Sequence, residues 1–363
     1  MSEEAGYPIS FNEFFKAGFP IMILTTFIAA AATGAVTDAA TDAAAAAATA
    51  GPTVLIPGDG GSALVMQLDK ARHSPHRYCA KSTNGEWATL WLDPKMLGPG
   101  LVDCWSENMK LQINATGDNA VYDTPGVTVK AVEGLAGLYL DQEAHSGAVR
   151  NASNVYAPLI DALVEQQGSG DAARDATVRG SPYDFRRVTP TAQFQAAVEA
   201  AFAAGNGTKK VTLLSHSLGC LQALYFLSQM SAEWKAAHVS AWVPLSPAYG
   251  GAVVDALQFV SGYNEGIPWL SGLDVRDEQR SYESNVWLLP SPALWSPDEP
   301  IFTTATRNYS AHDYEALFED TGFVPDGPAL LRRVAIKVIS RNDDINDDES
   351  MQTELEILRA VRH

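Results

Sequence analysis

Short apolar runs alternate with amphipathic stretches along this chain. Continuous apolar runs predict buried strands at residues 53–56, 211–214 and 239–246. Residues 155–164 and 192–202 instead carry apolar side chains at helical spacing, so they predict helices. Strands that alternate with helices are typical of a mainly parallel sheet, and the pattern therefore predicts an α/β fold.

Three further segments extend this pattern. Residues 127–132 and 334–339 predict strands, the latter being the last strand of the chain. Residues 262–303 are rich in Pro and Trp and show no clean periodicity. A segment of this kind is typical of a lid or cap inserted into a larger domain.

The strand predicted at residues 211–214 leads into the sequence SHSLGC and then into an amphipathic helix. A strand, a sharp turn with a serine at its apex and a helix form the nucleophile elbow of serine hydrolases. Small residues, Ser215 and Gly219, stand two positions on either side of Ser217. The usual pattern has Gly at both positions, so Ser215 is a departure. We predict that Ser217 is the nucleophile, the alternative being that it caps the helix.

A glycine-rich loop, PGDGGS at residues 57–62, follows the first predicted strand. Its backbone N–H groups and that of Leu218 are the expected donors to an oxyanion. The same glycines also suit a phosphate cradle, but neither the Walker A pattern nor the dinucleotide-binding pattern is present.

Composition limits the class of protein. The 363 residues are 46% hydrophobic and 19% charged, as in one large globular domain. The net charge of −18 excludes nucleic acid as an electrostatic partner. It does not exclude a lipid surface, because apolar loops also dock enzymes on membranes.

The N-terminal residues predict a secretory route. Residues 17–36 are apolar and uncharged, which suits a signal peptide or a signal anchor equally, although the acidic residues before them fit neither. The Ala-rich residues 37–50 predict a linker. We therefore divide the chain into a leader with linker at 1–50 and one domain at 51–363. N-x-S/T sequons at Asn114, Asn151, Asn206 and Asn308 agree with a lumenal chain.

The three cysteines are too few for a disulfide framework and show no metal-binding spacing. One bridge and one free thiol is the expectation for a lumenal chain. Cys79 and Cys104, which bracket Trp87 and Trp91, are the favoured pair. Cys220 is expected to be a small buried apolar residue.

Five motifs together resemble one known family. They are IPGDGGS at 56–62, DCWSENMKL at 103–111, SPYDFRR at 181–187, SHSLGC at 215–220 and NYSAHDY at 308–314. In order and spacing they resemble the lecithin:cholesterol acyltransferase family, which includes lysosomal phospholipase A/acyltransferases and phospholipid:diacylglycerol acyltransferases. The resemblance covers residues 52–323.

The resemblance implies an α/β-hydrolase fold with a membrane-binding subdomain and a cap. It implies an O-acyltransferase or phospholipase without a cofactor or metal, which moves an acyl group from a phospholipid through an acyl-serine to water or a lipid alcohol such as a sterol or diacylglycerol. It also implies a membrane or lipoprotein-like surface as partner and a lumenal, secreted, lysosomal, vacuolar or membrane-anchored location.

The resemblance assigns roles to individual residues. It places the nucleophile at Ser217 and the oxyanion donors at Asp59 and Leu218. It places the disulfide at Cys79 and Cys104, and this bridge is expected to hold Trp87 and Trp91 on a projecting apolar loop that touches lipid. Glycosylation is implied at Asn114 and Asn308. The cluster of Asp184, Arg186 and Arg187 is expected to be a structural ion pair.

The resemblance ends after residue 323, before the motifs that carry the acid and the histidine in this family. Asp343 or Asp344, after the strand predicted at 334–339, and the terminal His363 are the remaining candidates for acid and base. We expect that the C-terminal part is missing and that the chain as written hydrolyses phospholipid feebly or not at all. The alternative is a lipid-binding pseudoenzyme that lacks the triad Asp and His.

Overall fold

The strands of this protein form one parallel sheet and several small antiparallel units. The structure is a computed structural model that describes residues 51–140, 154–166, 177–189 and 191–339. The strands of the described part are β1 Thr53–Ile56, β2 Leu64–Leu68, β3 Ala88–Trp91, β4 Leu111–Ile113, β5 Val121–Asp123, β6 Val127–Ala131, β7 Val178–Gly180, β8 Val211–His216, β9 Val239–Leu245, β10 Phe302–Thr303 and β11 Asn308–Tyr309.

Helices connect these strands and follow them. The α-helices of the described part are α1 Val102–Met109, α2 Ala157–Gln166, α3 Thr191–Ala204, α4 Leu218–Ser228, α5 Ala232–His238, α6 Val253–Val260, α7 Gly272–Gln279, α8 Glu283–Trp287, α9 Tyr314–Asp320 and α10 Asp326–Ile339. A short 3-10 helix covers Leu135–Leu138.

The central sheet has the strand order β7-β1-β8-β9, and all its strand pairs are parallel. This arrangement confirms the predicted α/β fold and the strands predicted at 53–56, 211–214 and 239–246. Strand β8 lies between β1 and β9, so the strand that leads to Ser217 is central, as predicted. Among the described residues, no strand pairs with the outer edge of β9.

The two faces of the sheet pack into separate apolar cores. Val54 and Ile56 of β1 point into the larger core together with residues of α3 and α4. Leu55 points to the other face and packs with Ile160 of α2. Successive side chains of a strand alternate between the faces, so the fully buried run of β1 needs helices on both sides. The predicted helices at 155–164 and 192–202 are confirmed as α2 and α3.

The segment between β1 and α2 forms smaller antiparallel units. Strands β3, β2 and β6 make a three-stranded sheet, and β4 pairs with β5. Cys79 and Cys104 are joined in a disulfide with a Cα–Cα distance of 5.4 Å, as predicted. Cys220 is free and buried, as expected.

The Asp184–Arg186–Arg187 cluster is a structural ion-pair network near the edge strand β7. Arg186 is fully buried and binds Asp184 and Asp123 at 2.8 and 2.9 Å. Arg187 binds the same two carboxylates at 3.3 and 3.0 Å. The network ties the loop after β7 to β5, so the structural role predicted for it is confirmed.

The strand predicted at residues 334–339 is wrong. These residues form the last part of helix α10, which begins at Asp326. A short apolar run has no period of its own, so it does not distinguish a strand from a buried part of a helix. The argument that Asp343 or Asp344 follows a strand loses its basis, and both residues lie outside the described part of the chain.

The segment at 262–303, in which the sequence shows no periodicity, contains α7, α8 and β10. Helix α7 buries Glu278 and Gln279 together with Val275. Because its buried face is mostly polar, the hydrophobic pattern gives no signal for it.

The predicted leader and linker at 1–50 lie outside the described residues. Within the described ranges, none of the helices combines the length and the apolar character that crossing a bilayer requires.

Candidate active site

Ser217 lies at the sharp turn between the central strand β8 and helix α4. Its backbone has φ of 50° and ψ of −121°, in the left-handed half of φ that is uncommon for residues other than glycine. Such strain persists where the surrounding structure enforces it, and it clusters at functional sites. The turn therefore has the strand–serine–helix geometry predicted from the sequence.

Close packing around the turn explains its small residues. A Cβ atom at Gly219 would lie 2.3 Å from the carbonyl oxygen of Pro57. A Cβ atom at Gly58 would lie 2.9 Å from Cβ of Ser217. The glycine-rich loop after β1 and the serine turn are thus in contact, and side chains at these glycines would separate them.

Ser217 occupies the N-cap position of α4, but its side chain forms no capping hydrogen bond. Within the described residues, its hydroxyl has no hydrogen-bond partner. A serine that caps a helix accepts a hydrogen bond from a backbone N–H group of the first turn. The geometry therefore favours a hydroxyl that is available for chemistry over the capping alternative.

The predicted oxyanion donors belong to the two segments that meet at this turn. Asp59 follows Gly58 in the loop that contacts Ser217, and Leu218 follows Ser217 directly. Among the described residues, neither of the two backbone N–H groups has an acceptor. An oxyanion site requires free N–H groups next to a nucleophile, so both residues remain candidates.

Two buried tyrosines hold the glycine-rich loop in place. The Tyr156 hydroxyl accepts a 2.7 Å hydrogen bond from the Gly58 N–H group and lies 2.9 Å from Nδ1 of His216. The Tyr183 hydroxyl donates to the Pro57 carbonyl at 2.9 Å. These contacts fix the loop relative to the serine turn.

Ser215, the departure from the usual glycine, has a structural role. It is fully buried, and its hydroxyl accepts a 2.8 Å hydrogen bond from Nε1 of Trp242 on β9. The same hydroxyl donates to the Cys220 thiol at 3.2 Å. The hydroxyl therefore satisfies an indole N–H group that glycine would leave without this acceptor.

An acidic cleft of about 510 Å³, its open mouth included, begins at the glycine-rich loop after β1. We define the acidic cleft by Asp59, Glu265, Glu278, Tyr282 and Asn285, which all line it. Desolvation by the walls of the cleft raises the pKa of Asp59 to about 6, although the residue is exposed at the mouth and a hydrogen bond from the Gly60 N–H group opposes this shift. Burial also raises the pKa of Glu265 to about 8 and that of Glu278 well above its usual value.

The described histidines after Ser217 form hydrogen bonds elsewhere. Nδ1 of His238 contacts the Trp234 carbonyl at 2.9 Å, and Nε2 of His312 contacts the Trp295 carbonyl at 3.1 Å. The candidates Asp344 and His363 lie outside the described residues. Neither of these two histidines is hydrogen-bonded to Ser217.

The other predicted residues take different positions. Asn114 and Asn308 are exposed, as a glycan acceptor must be. Trp87 is 40% exposed with the Lys130 ammonium 4.2 Å from its ring centre. Trp91, expected on the same projecting loop, instead donates to the Gly60 carbonyl at 2.7 Å and lines the acidic cleft. The expectation that both Trp side chains project toward lipid is wrong for Trp91.

Comparisons with known proteins identify the family. The family model described as "Lecithin:cholesterol acyltransferase" matches residues 87–337. "Lysosomal phospholipase A and acyltransferase" of Rattus norvegicus is 35% identical over 277 residues, which are 75% of this chain and 64% of that protein. "Phosphatidylcholine-sterol acyltransferase" of Oryctolagus cuniculus is 33% identical over 278 residues, 75% of this chain and 60% of that protein.

The chain therefore belongs to the lecithin:cholesterol acyltransferase family. It spans 64% of the length of the rat relative. Among solved structures, "The crystal structure of Tle4-Tli4 complex" aligns with a TM-score of 0.44 and 14% identity, covering 79% of this chain and 70% of that one.

Sequence reasoning missed several residues that shape the site. Tyr156 holds the glycine-rich loop through Gly58, which lies 98 positions earlier in the chain, and no local pattern marks it. Glu265 and Glu278 lie in the segment that was interpreted as an irregular lid. Tyr183 lies in the SPYDFRR motif at residues 181–187, and this motif is the signal that could have identified it.

Proposed function

We propose that this protein is a lipid O-acyltransferase or phospholipase that works through an acyl-serine at Ser217. The observation that carries the proposal is the strained Ser217 turn, which packs against the glycine-rich loop that contains Asp59. Family membership supports lipid esters as the substrate class.

In this mechanism, Oγ of Ser217 attacks the ester carbonyl of a phospholipid and loses its proton to a base. The carbonyl oxygen becomes an oxyanion that accepts hydrogen bonds from the N–H groups of Asp59 and Leu218. Collapse breaks the ester bond, and the lysophospholipid alkoxide takes the proton. Water or a lipid alcohol, such as a sterol or diacylglycerol, then attacks the acyl-serine and releases Ser217.

The base is proposed to come from outside the described residues, where Asp344 and His363 are the candidates in this chain. The core at 51–363 is proposed to be an α/β hydrolase with a lid at 262–303. The disulfide-closed segment with the exposed Trp87 is proposed to contact a membrane or lipoprotein-like surface. The secretory route and glycans on Asn114 and Asn308 complete the proposal.

A second function is favoured by one observation. The Ser217 hydroxyl has no described hydrogen-bond partner, and described His238 and His312 bond to backbone carbonyls instead. A protein with this fold and an unactivated serine would bind lipid without turning it over.

Labelling with a fluorophosphonate probe separates these functions, because the reaction requires an activated hydroxyl. We expect a probe adduct on Ser217 that is lost in Ser217→Ala. The matched control is Ser246→Ala, which removes another serine with positive φ at the end of β9. A chain that stays unlabelled while folded and bound to lipid vesicles supports the lipid-binding alternative.

A further inference from the structure

The acidic cleft is lined by three carboxyl groups and by no basic side chain of the described residues. Three of its lining side chains are the carboxyl groups of Asp59, Glu265 and Glu278, whereas none of the described lining residues is Lys, Arg or His. The Arg186 guanidinium acts on Glu278 electrostatically, but it is bonded to Asp184 and Asp123. The carboxyl groups of the cleft are thus left without a counter-ion of their own.

Three polar atoms of the same cleft are buried and have no hydrogen-bond partner. They are Oε2 of Glu278, the hydroxyl of Tyr282 and Oδ1 of Asn285, on side chains that are 2%, 4% and 1% exposed. Glu278 and Tyr282 are close enough to shift each other's pKa, so these two groups are neighbours within the cleft. Oδ1 of Asn285 has no such neighbour and is buried without a partner. A buried polar atom without a partner is unfavourable, and its place in the wall of the cleft indicates a ligand that satisfies it.

The orientation of Asn285 shows what the ligand must supply. Its Nδ2 group donates to Oε1 of Gln258 and to the Gln279 carbonyl. Both amide protons are therefore used, and the free atom is the acceptor oxygen. With the free carboxylate oxygen of Glu278, the cleft offers acceptors in excess of donors. A ligand that donates hydrogen bonds and carries positive charge is complementary to this set.

The remaining walls of the cleft are apolar. Leu97, Met109, Leu270 and Val275 line it, as do the rings of Trp91 and Phe185, whose centres are 5.7 Å apart. An alkyl chain gains free energy by leaving water for such a surface. The faces of aromatic rings also attract cations. The apolar walls and the acceptor cluster therefore select an amphiphilic cation.

We propose that this acidic cleft binds a primary ammonium ion carried on an alkyl chain. The three N–H donors of the ammonium satisfy the free acceptors, and the alkyl chain lies along the apolar walls. An anionic ligand such as a free phosphate is disfavoured because no basic side chain lines the cleft to pair with it. A bare metal ion is disfavoured because the described residues offer no group of three His, Cys, Asp or Glu side chains arranged to hold one.

Because carboxyl groups of the cleft have raised pKa values, binding of a cation should also change how many protons they carry. The carboxyl groups of Glu265, with a pKa of about 8, and Glu278 are protonated near neutral pH when no cation is present. An ammonium ion favours their ionised form, so binding at pH 7 releases protons. Asp59, which lines the cleft, raises the pKa of Glu265, and both carboxyl groups raise the pKa of the buried Asp255.

The proposal is tested by calorimetric titration of the 363-residue chain with n-butylammonium chloride at pH 7 and constant ionic strength. We expect binding in the millimolar range, with n-butanol, which has the same chain but no charge, about tenfold weaker. Titration in two buffers with different ionisation enthalpies should show proton release. Equal binding of the amine and the alcohol, or no amine binding at tens of millimolar, overturns the proposal.

Variants assign the binding to the cleft. Glu278→Gln and Glu265→Gln should each weaken amine binding about fivefold or more, because an ion pair becomes a neutral contact. Asp274→Asn removes an exposed carboxyl from the same helix as Glu278 and should change nothing. If Glu278→Gln does not fold, Glu265→Gln alone decides. Unchanged binding in the folded Glu265→Gln variant overturns the proposal.

The inference goes beyond acyl transfer and does not depend on it. Ser217→Ala should bind n-butylammonium as well as the unmodified chain does, since Ser217 does not line the cleft. Failure of the labelling experiment at Ser217 and failure of amine binding are therefore separate results.

Discussion

The Tyr156 hydroxyl lies 2.9 Å from Nδ1 of His216, the residue before the candidate nucleophile. The Tyr156 oxygen also accepts a hydrogen bond from the Gly58 N–H group at 2.7 Å. Burial lowers the pKa of His216 to about 4, so the ring is neutral from pH 5 upward. The Tyr156 hydroxyl thus contacts both the glycine-rich loop, at Gly58, and the serine turn, at His216.

Replacing this phenol tests the connection. Tyr156→Phe leaves the Gly58 N–H group and Nδ1 of His216 without their partner, and we expect a loss of roughly 1–3 kcal/mol in the free energy of unfolding. Urea denaturation measures it. Tyr225→Phe is the matched control, because no described group bonds to the Tyr225 hydroxyl, and it should lose less than about 0.5 kcal/mol. Equal losses in both variants would contradict the role of Tyr156.

Gly219 is predicted to be irreplaceable at the turn. A Cβ atom there would lie 2.3 and 2.6 Å from the carbonyl oxygens of Pro57 and Ile56, which are rigid backbone atoms. Gly219→Ala should cost roughly 3 kcal/mol or more, by thermal or urea unfolding. At Gly250, a Cβ atom would meet its nearest neighbour at an ordinary 3.5 Å, so Gly250→Ala should cost much less. A stable, unshifted Gly219→Ala variant would show that the loop does not contact the turn.

The stability of the protein should fall as the pH rises. Burial raises the pKa of Glu265 from 4.5 to about 8, and that of Glu278 well above 4.5. The folded state therefore keeps protons that the unfolded state loses above pH 4.5, so deprotonation favours unfolding. We expect the free energy of unfolding to drop by roughly 2 kcal/mol or more from pH 5 to pH 8.

Glu265→Gln removes one of these protonation sites and should flatten this pH dependence, as followed by urea denaturation at several pH values. The control Asp274→Asn, an exposed carboxyl of α7, should keep the slope of the unmodified chain. A slope that Glu265→Gln leaves unchanged would contradict the raised pKa of Glu265.

The two tryptophans of the disulfide-closed segment should respond differently to substitution. Trp87→Ala should weaken binding to phospholipid vesicles in a sedimentation assay and leave folding intact, because the side chain is 40% exposed. Trp91→Ala should instead lower the free energy of unfolding by roughly 2–4 kcal/mol, since its ring packs between Trp105 and Phe185. Equal vesicle binding by Trp87→Ala and the unmodified chain would rule out a lipid contact there.

Sequence patterns predicted the elements whose signal is local. Strand β8 is a continuous apolar run, and Ser217 with Gly219 marks the turn because the steric requirement falls on adjacent residues. The pattern failed at residues 334–339, where a short apolar run suits a strand and a helix equally. It also failed at α7, whose buried face carries Glu278 and Gln279.

In the candidate site, too, the sequence predicted the residues that lie in local motifs and missed those that depend on distant partners. Ser217, Leu218 and Asp59 stand in compact motifs, whereas Tyr156 and Trp91 acquire their roles from partners far along the chain. Trp91 looks like Trp87 in sequence, and the difference arises from the Gly60 carbonyl, 31 positions earlier, that accepts its indole proton. Contacts of this kind depend on the fold and have no signature in a short window.

The most direct test of the central claim is a search for the acyl-serine itself. The chain is incubated with phospholipid vesicles, quenched in acid and measured by intact mass and peptide mapping. The account predicts a mass increase of one fatty acyl group on the peptide that contains Ser217, absent from Ser217→Ala and kept in Ser246→Ala. An acyl adduct that persists in Ser217→Ala, or none in a folded chain that binds the vesicles, would contradict the account.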